Sequence, residues 1–175
     1  MAVLIEALSI IVRRDRLDAV WPGGAEAYIA ESPNQTVCAD SHLVRIGFMS
    51  PPEAGNHLGR CIEQGLTFLG PDETAQDLVP VDQLAGTLAP CDWLRLGRVE
   101  MDGHEVDAAQ FVGDEEYVLI TPPNWSLRQH LEIRASRIQP EEQPDYLVYV
   151  GEKDGLHEYV DTRTGKSHWT TEPLQ

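Results

Sequence analysis

Basic side chains are scarce in this sequence. Thirteen Lys and Arg stand against 29 Asp and Glu in 175 residues, a net charge of −16. The shortage is sharpest between residues 61 and 127, where Arg95 and Arg98 face thirteen carboxylates and the segment carries a net −11. A field of that sign repels phosphate and anionic lipid, so the sequence argues against nucleic acid and membrane surfaces as direct partners. The same field favours a basic protein partner or a cation, or serves solubility alone.

Cysteine is also scarce, and what there is has no pattern. Cys38, Cys61 and Cys91 are an odd number at wide spacing, with no C-x-x-C, so neither a zinc ribbon nor a redox motif is expected. Reduced thiols in a cytoplasmic setting are the expectation. Long apolar runs are missing too. Met1 to Val12 is apolar, but Glu6 interrupts it and Arg13, Arg14 and Arg16 come after it, unlike a signal peptide. It is far too short to span a bilayer.

Catalytic signatures are equally thin. There is no G-x-S-x-G, Walker A or G-x-G-x-x-G stretch. Cys91 precedes Asp92 in an acidic region, which raises a thiol pKa and argues against a nucleophile. Cys38, Asp40 and His42 alternate, but Asp40 falls at an expected turn, and the remaining histidines are scattered. The run from Asp102 to Asp107 lacks the order of a calcium loop. No metal or cofactor is expected, and with 29 acids no catalytic carboxylate pair can be singled out.

What is present is a clear alternation of elements. Met1–Val12 has apolar residues on both faces, the pattern of a central strand covered on each side. Arg14–Trp21 and a segment around Ala25–Ala30 read as short helices. Thr36–Ala39 and Leu43–Phe48 read as a hairpin in which Val44, Ile46 and Phe48 share a face and Arg45 points away. Ser50, Pro51 and Glu53 form a helix start, with an apolar stripe through Ala54, Leu58, Cys61 and Ile62 and a stop at Gly65. Leu66–Leu69 reads as a further strand. The order β-α-β-β-α-β over residues 1–70 resembles the ferredoxin-like arrangement, a fold that implies no single function.

The second half reads as antiparallel and β-rich. Leu78–Leu84 is an expected strand. Asp102-Gly103 is a strong hairpin signal between Arg98–Met101 and Glu105–Val112. Tyr117–Thr121 is a strand stopped by Pro122-Pro123, and Trp125–Ile138 fits helix and strand alike. Gln139 to Pro144 is polar and proline-bounded, the best linker. Beyond it Tyr146–Val150, Leu156–Asp161 and Lys166–Thr170 read as three strands. The expectation is an α+β protein with one domain over 1–138, ferredoxin-like over 1–70 with an acidic β extension over 71–138. A three-stranded unit would follow over 145–175.

Two resemblances follow from particular residues. Tyr159 to Trp169, with the turn Thr164-Gly165, resembles the second hairpin of a WW domain. That family binds proline-rich peptides between two aromatic residues, which by position are Tyr159 and Trp169. The first signature tryptophan is missing, with Tyr146 or Leu147 near its place. Arg45–Met49, Val81–Gln83 and Cys91–Leu94 are similar to segments of a small group of bacterial cytosolic proteins, a resemblance that implies no activity.

Three functions follow as expectations. The first is a non-enzymatic interaction protein, antitoxin-like or immunity-like by charge analogy, docking a basic partner through an exposed acidic rim of Asp102, Glu105, Asp107, Asp114, Glu115 and Glu116. The second is a small-molecule enzyme or ligand sensor with a pocket between the ferredoxin-like sheet and the β-rich half. The third is peptide capture by the C-terminal hairpin.

Overall fold

A computed structural model of the chain describes residues 1–137 and 146–173. The expected linker at Gln139 to Pro144 lies outside the described residues. The chain is an α+β protein that divides into two units, Met1–Trp125 and Ser126–Gln175.

The opening segment is apolar on both faces and is buried on both, but it is not one strand. It breaks at Ala7, which adopts a left-handed φ of 50°. Strand β1 (Ala2–Leu4) precedes the break and β2 (Leu8–Arg13) follows it. Left-handed backbone is costly for alanine, and here it turns one continuous run of chain from one sheet into another.

In the first of these sheets β2 is central. The elements after it are α1 (Arg14–Val20), α2 (Gly24–Ala30), β3 (Cys38–Ala39), β4 (Leu43–Phe48), α3 (Pro51–Glu63), β5 (Leu78–Asp82) and β6 (Gly86–Thr87). The strands pair antiparallel in the order β3-β4-β2-β5-β6. Ile10 and Val12 of β2 lie level with Ile46 and Val44 of β4. Together with Leu17, Trp21 and Tyr28 of the α1–α2 region and Cys61 of α3 they form one buried core. Each such aliphatic side chain contributes roughly 1.5–3 kcal/mol on burial. Helix α3 starts as its residues dictate. Ser50 caps it by accepting from the Glu53 amide, Pro51 sits in its first turn, and Gly65 takes a φ of 105° just past its end.

One expectation needs correction here, and a second gains a burial that alternation alone does not give. Leu66–Leu69 is not a strand of this sheet. Its backbone closes locally instead, with Gln76 and Asp77 amides donating to the Phe68 and Thr67 carbonyls, because Gly70 and Pro71 turn the chain back at once. The position beside β2 goes to Leu78–Asp82. Arg45 points away from the face of Val44, Ile46 and Phe48, as the alternation predicts, but into a second buried face. All of β4 is buried and Arg45 is 1% exposed. Its Nε donates to Ser9 Oγ at 2.9 Å, and its terminal nitrogens donate to the Thr36 and Glu6 carbonyls, each at 3.0 Å. The side of β4 opposite the helices is covered by β1, so alternation along β4 separates two buried faces.

The second sheet has the order β7-β8-β1-β9, with β7 (Leu94–Met101), β8 (His104–Phe111) and β9 (Leu119–Ile120). Strand β9 runs parallel to β1 and the other pairs are antiparallel. The β7–β8 turn is Asp102-Gly103, both at positive φ, as a two-residue hairpin turn requires.

The C-terminal unit holds α4 (Leu127–Arg137) and a sheet of order β10-β11-β12, from β10 (Leu147–Lys153), β11 (Leu156–Asp161) and β12 (Ser167–Thr170). Trp125–Ile138, which suited either helix or strand in the sequence, is helical over α4 and packs with β12, so the unit boundary falls before α4. A second positive-φ turn, Asp154-Gly155, joins β10 to β11. Asp161 accepts from the Arg163 amide and guanidinium, and the Arg163 guanidinium lies 3.5 Å over the Tyr146 ring. The Arg163 hydrogen bond lowers the Asp161 pKa to about 2.

Candidate functional site

The break at Ala7 leaves the end of β5 facing the start of β8 across a cleft of about 290 Å³. Side-chain hydrogen bonds cross it. Gln83 follows β5, and its Oε1 accepts from the Ala7 amide at 3.0 Å while its own amide donates to the Ala7 carbonyl at 2.9 Å. The positive φ of Ala7 is thereby held by one glutamine from both sides. Gln83 Nε2 then donates to Asp107 Oδ2 at 3.0 Å. Asp107 Oδ1 accepts from Arg98 Nε at 3.3 Å, and the Arg98 guanidinium also donates to Glu105 Oε2 at 2.7 Å. These two carboxylates hold the Arg98 pKa above its ordinary value, with Glu105 the larger cause.

The mouth of the cleft is apolar. Leu84 and Leu96 line it and are 47% and 41% exposed. Leu84 is presented by a tight turn in which Asp82 Oδ1 accepts from the Leu84 and Ala85 amides. Gly86 has a φ of 91°, a left-handed backbone that favours glycine, and it lies against Leu96. Among the described residues the lining carries Asp82, Asp107 and one cation, Arg98.

The six acids expected to form a rim are not one surface. Asp102 and Glu105 are exposed at the hairpin tip. Asp107 faces the cleft and is nine-tenths buried, a correction to its expected exposure. It lies on the same face as Glu105 but further in, where Gln83 and Arg98 meet it. Asp114 is half-buried with its Oδ2 2.9 Å from the Met1 amino group, whose nitrogen also contacts the Glu116 carbonyl. Glu115 and Glu116 are exposed, but they lie beyond the far end of β8 from Asp102, about 25 Å along the strand.

Tyr159 and Trp169 do not come together either. Tyr159 lies opposite His168, and Trp169 lies opposite Glu158. Directly paired residues share a sheet face and neighbours alternate, so the two aromatics occupy opposite faces. Tyr159 is 1% exposed, and its ring packs tilted against Tyr149 with centroids 5.3 Å apart. No single groove in this sheet contains both rings.

Two other clusters hold chemically active side chains. Tyr28 Oη lies 2.7 Å from His57 Nε2 and 4.0 Å from Cys61 Sγ. Burial lowers the His57 pKa to about 4, with Arg60 adding to the effect, and burial pushes the Cys61 thiol up to about 11. The three sit inside the helix–sheet core, where they satisfy one another. Near β3, Asp40 closes the hairpin by accepting from the His42 and Leu43 amides, each at 2.7 Å. Cys38 is buried beside Arg45, while His42 is exposed and stacks on Phe111 at 4.8 Å, so the three alternating residues do not converge. Among the described residues no three His, Cys, Asp or Glu side chains are grouped as a metal would need. No helix among them is long and apolar enough to cross a membrane.

Sequence reasoning passed over Gln83 and Arg98. For Arg98 a signal was available. Once Asp102-Gly103 is the turn, counting outward pairs Arg98 with Asp107, the register observed. Gln83 has no such signal, because its partners Ala7 and Asp107 are set by how the two sheets meet.

No protein-family model matches the chain, and neither does a curated protein or a solved structure. The functional reading therefore rests on the chemistry of the site itself.

Proposed function

We propose that this protein is a non-enzymatic interaction protein that docks a basic protein surface at the cleft between the β5–β6 turn and the β7–β8 hairpin. One observation carries the reading: two exposed leucines, Leu84 and Leu96, share a cleft with Asp82 and Asp107, and exposed Glu105 reaches into the same ion pairs. Apolar contact supplies affinity, and the surrounding negative charge selects a cationic partner and speeds its approach. The chain's net −16 acts in the same direction at longer range.

The test is capture from lysate at low and high salt. Wild type is compared with a variant carrying Glu100→Gln, Asp102→Asn and Glu105→Gln, and with a second carrying Glu115→Gln and Glu116→Gln. The reading requires a captured basic protein whose retention falls with salt and with the hairpin substitutions, while the Glu115/Glu116 variant retains it. Retention indifferent to both salt and the hairpin charges overturns it.

A further inference from the structure

The cleft already contains a cation, and it belongs to the protein. Arg98 sits on β7, the edge strand of its sheet, and its side chain is 51% exposed. Its bond to Asp107 is long at 3.3 Å, and its bond to Glu105 reaches a carboxylate that is itself mostly exposed. An exposed ion pair of this kind adds little stability, because solvent screens it and holding two long side chains in place costs entropy. Asp107 is the opposite. It is nearly buried, and Gln83 holds its other oxygen, with Gln83 anchored in turn on both polar backbone atoms of Ala7. A fixed acceptor is thus covered by a loosely held donor.

Resting on the docking reading above, we propose that Arg98 is an internal stand-in for the ligand, and that the cleft's true occupant is a guanidinium or ammonium group on an aliphatic stem, which displaces Arg98 from Asp107 and Glu105. Charge complementarity selects this occupant: with Arg98 moved aside, Asp82, Glu105 and Asp107 leave the site with three negative charges. The stem is accounted for by Leu84 and Leu96, since arginine and lysine bury their methylenes against apolar surface while the charged head reaches polar partners. The cleft's volume of about 290 Å³ is at the low end for ligand sites, roughly 300–1,000 Å³, which suits one side chain or a small amine. Arg98 raises the threshold for binding by competing from within. Weakly cationic surfaces then fail to displace it, which gives the site selectivity by competition.

The same chemistry has two sources, an Arg or Lys of a protein partner and a free small amine. Titration calorimetry with a short oligo-arginine peptide and with a blocked single arginine distinguishes them on the full chain. Tighter binding of the peptide points to a protein surface, and equal saturation by the blocked amino acid points to a small amine. The internal-competitor role is read from Arg98→Gln, which removes the charge at an exposed position. About tenfold tighter binding than wild type is expected, whereas Asp107→Asn loses about tenfold and Glu105→Gln a few-fold. A direct signal comes from the Arg98 Nε–H resonance, which shifts on peptide addition if the side chain is displaced. Thermal unfolding of each variant shows that the fold persists, and Glu105→Gln, on an exposed residue, keeps the test valid if Asp107→Asn is destabilised. Weaker or unchanged binding by Arg98→Gln, with an unmoved Nε–H signal, overturns the stand-in even if salt-dependent docking of a basic protein stands. If neither wild type nor Arg98→Gln binds either probe, both this inference and the docking reading fall.

Discussion

Strands β4 and β7 invite comparison. Each belongs to the N-terminal unit, and each contains arginine, glycine and aliphatic residues. In β4 every residue is buried, and Arg45 is locked by three hydrogen bonds to oxygens of Ser9, Thr36 and Glu6. In β7 the residues from Arg95 to Arg98 are all exposed, and Arg98 is held by two side-chain carboxylates at the edge of its sheet. The difference lies in the acceptors. Backbone carbonyls inside a core cannot move away, so Arg45 is structural. Of the two acceptors of Arg98, Asp107 is fixed but met only at 3.3 Å and Glu105 is mostly exposed, so Arg98 is the more loosely held. The same residue type is locked in one strand and loosely held in the other, according to what surrounds it.

The strongest way to break the comparison is to remove the buried arginine. Arg45→Ala leaves a cavity and strips donors from buried oxygens, and is expected to cost about 3–5 kcal/mol in urea unfolding. Arg98→Gln is expected to stay within about 0.5 kcal/mol of wild type in the same measurement. Equal losses would erase the distinction.

The core beneath β4 also predicts a pH response of intermediate size. His57 has a folded pKa of about 4 against an ordinary 6.5, because burial disfavours its charged form. The unfolded chain therefore takes up a proton that the folded chain resists. Stability is full above about pH 6.5 and falls as the pH drops from there toward 4. The expected loss is about 1–2 kcal/mol. Urea unfolding as a function of pH measures it, and His57→Gln flattens that limb of the profile.

At the cleft the contrast sharpens further. Leu84→Ala and Leu96→Ala remove side chains that are half exposed, so unfolding free energies should move by no more than about 0.5 kcal/mol. If the proposed docking holds, binding of the oligo-arginine peptide weakens by several-fold, because the docking places the ligand's stem against those side chains. The smallest effect belongs to Glu115→Gln with Glu116→Gln, beyond the far end of β8. Neither stability nor peptide affinity should change measurably, and a loss of affinity there would move the binding surface away from the cleft.

Much of the fold was legible in the residues. Turn chemistry located the β7–β8 hairpin at Asp102-Gly103 and the β10–β11 hairpin at Asp154-Gly155, because a two-residue hairpin turn at positive φ favours those residue types. Ser50, Pro51 and Glu53 marked the start of α3 for an equally local reason, the unpaired amides of a helix's first turn. The break at Ala7 carried no such mark. Alanine is a poor left-handed residue, and two bonds to Gln83, seventy-six positions away in the chain, help hold it there. The acidic rim was misread for a related reason. Composition shows how many carboxylates a segment has, but not that Asp107 turns inward to Gln83 and Arg98 while Asp114 meets the Met1 amino group.

The sequence by itself determined the α+β character, the turns, the helix start and the sign of the electrostatic field, since each depends on neighbouring residues or on a simple sum of charges. Only the tertiary structure decided that β1 and β2 part into two sheets, that Arg45 is buried, and that Arg98 sits over Asp107 beside Leu84 and Leu96. Those outcomes depend on which surfaces meet across long chain separations, and a side chain's role follows from the partners it meets there.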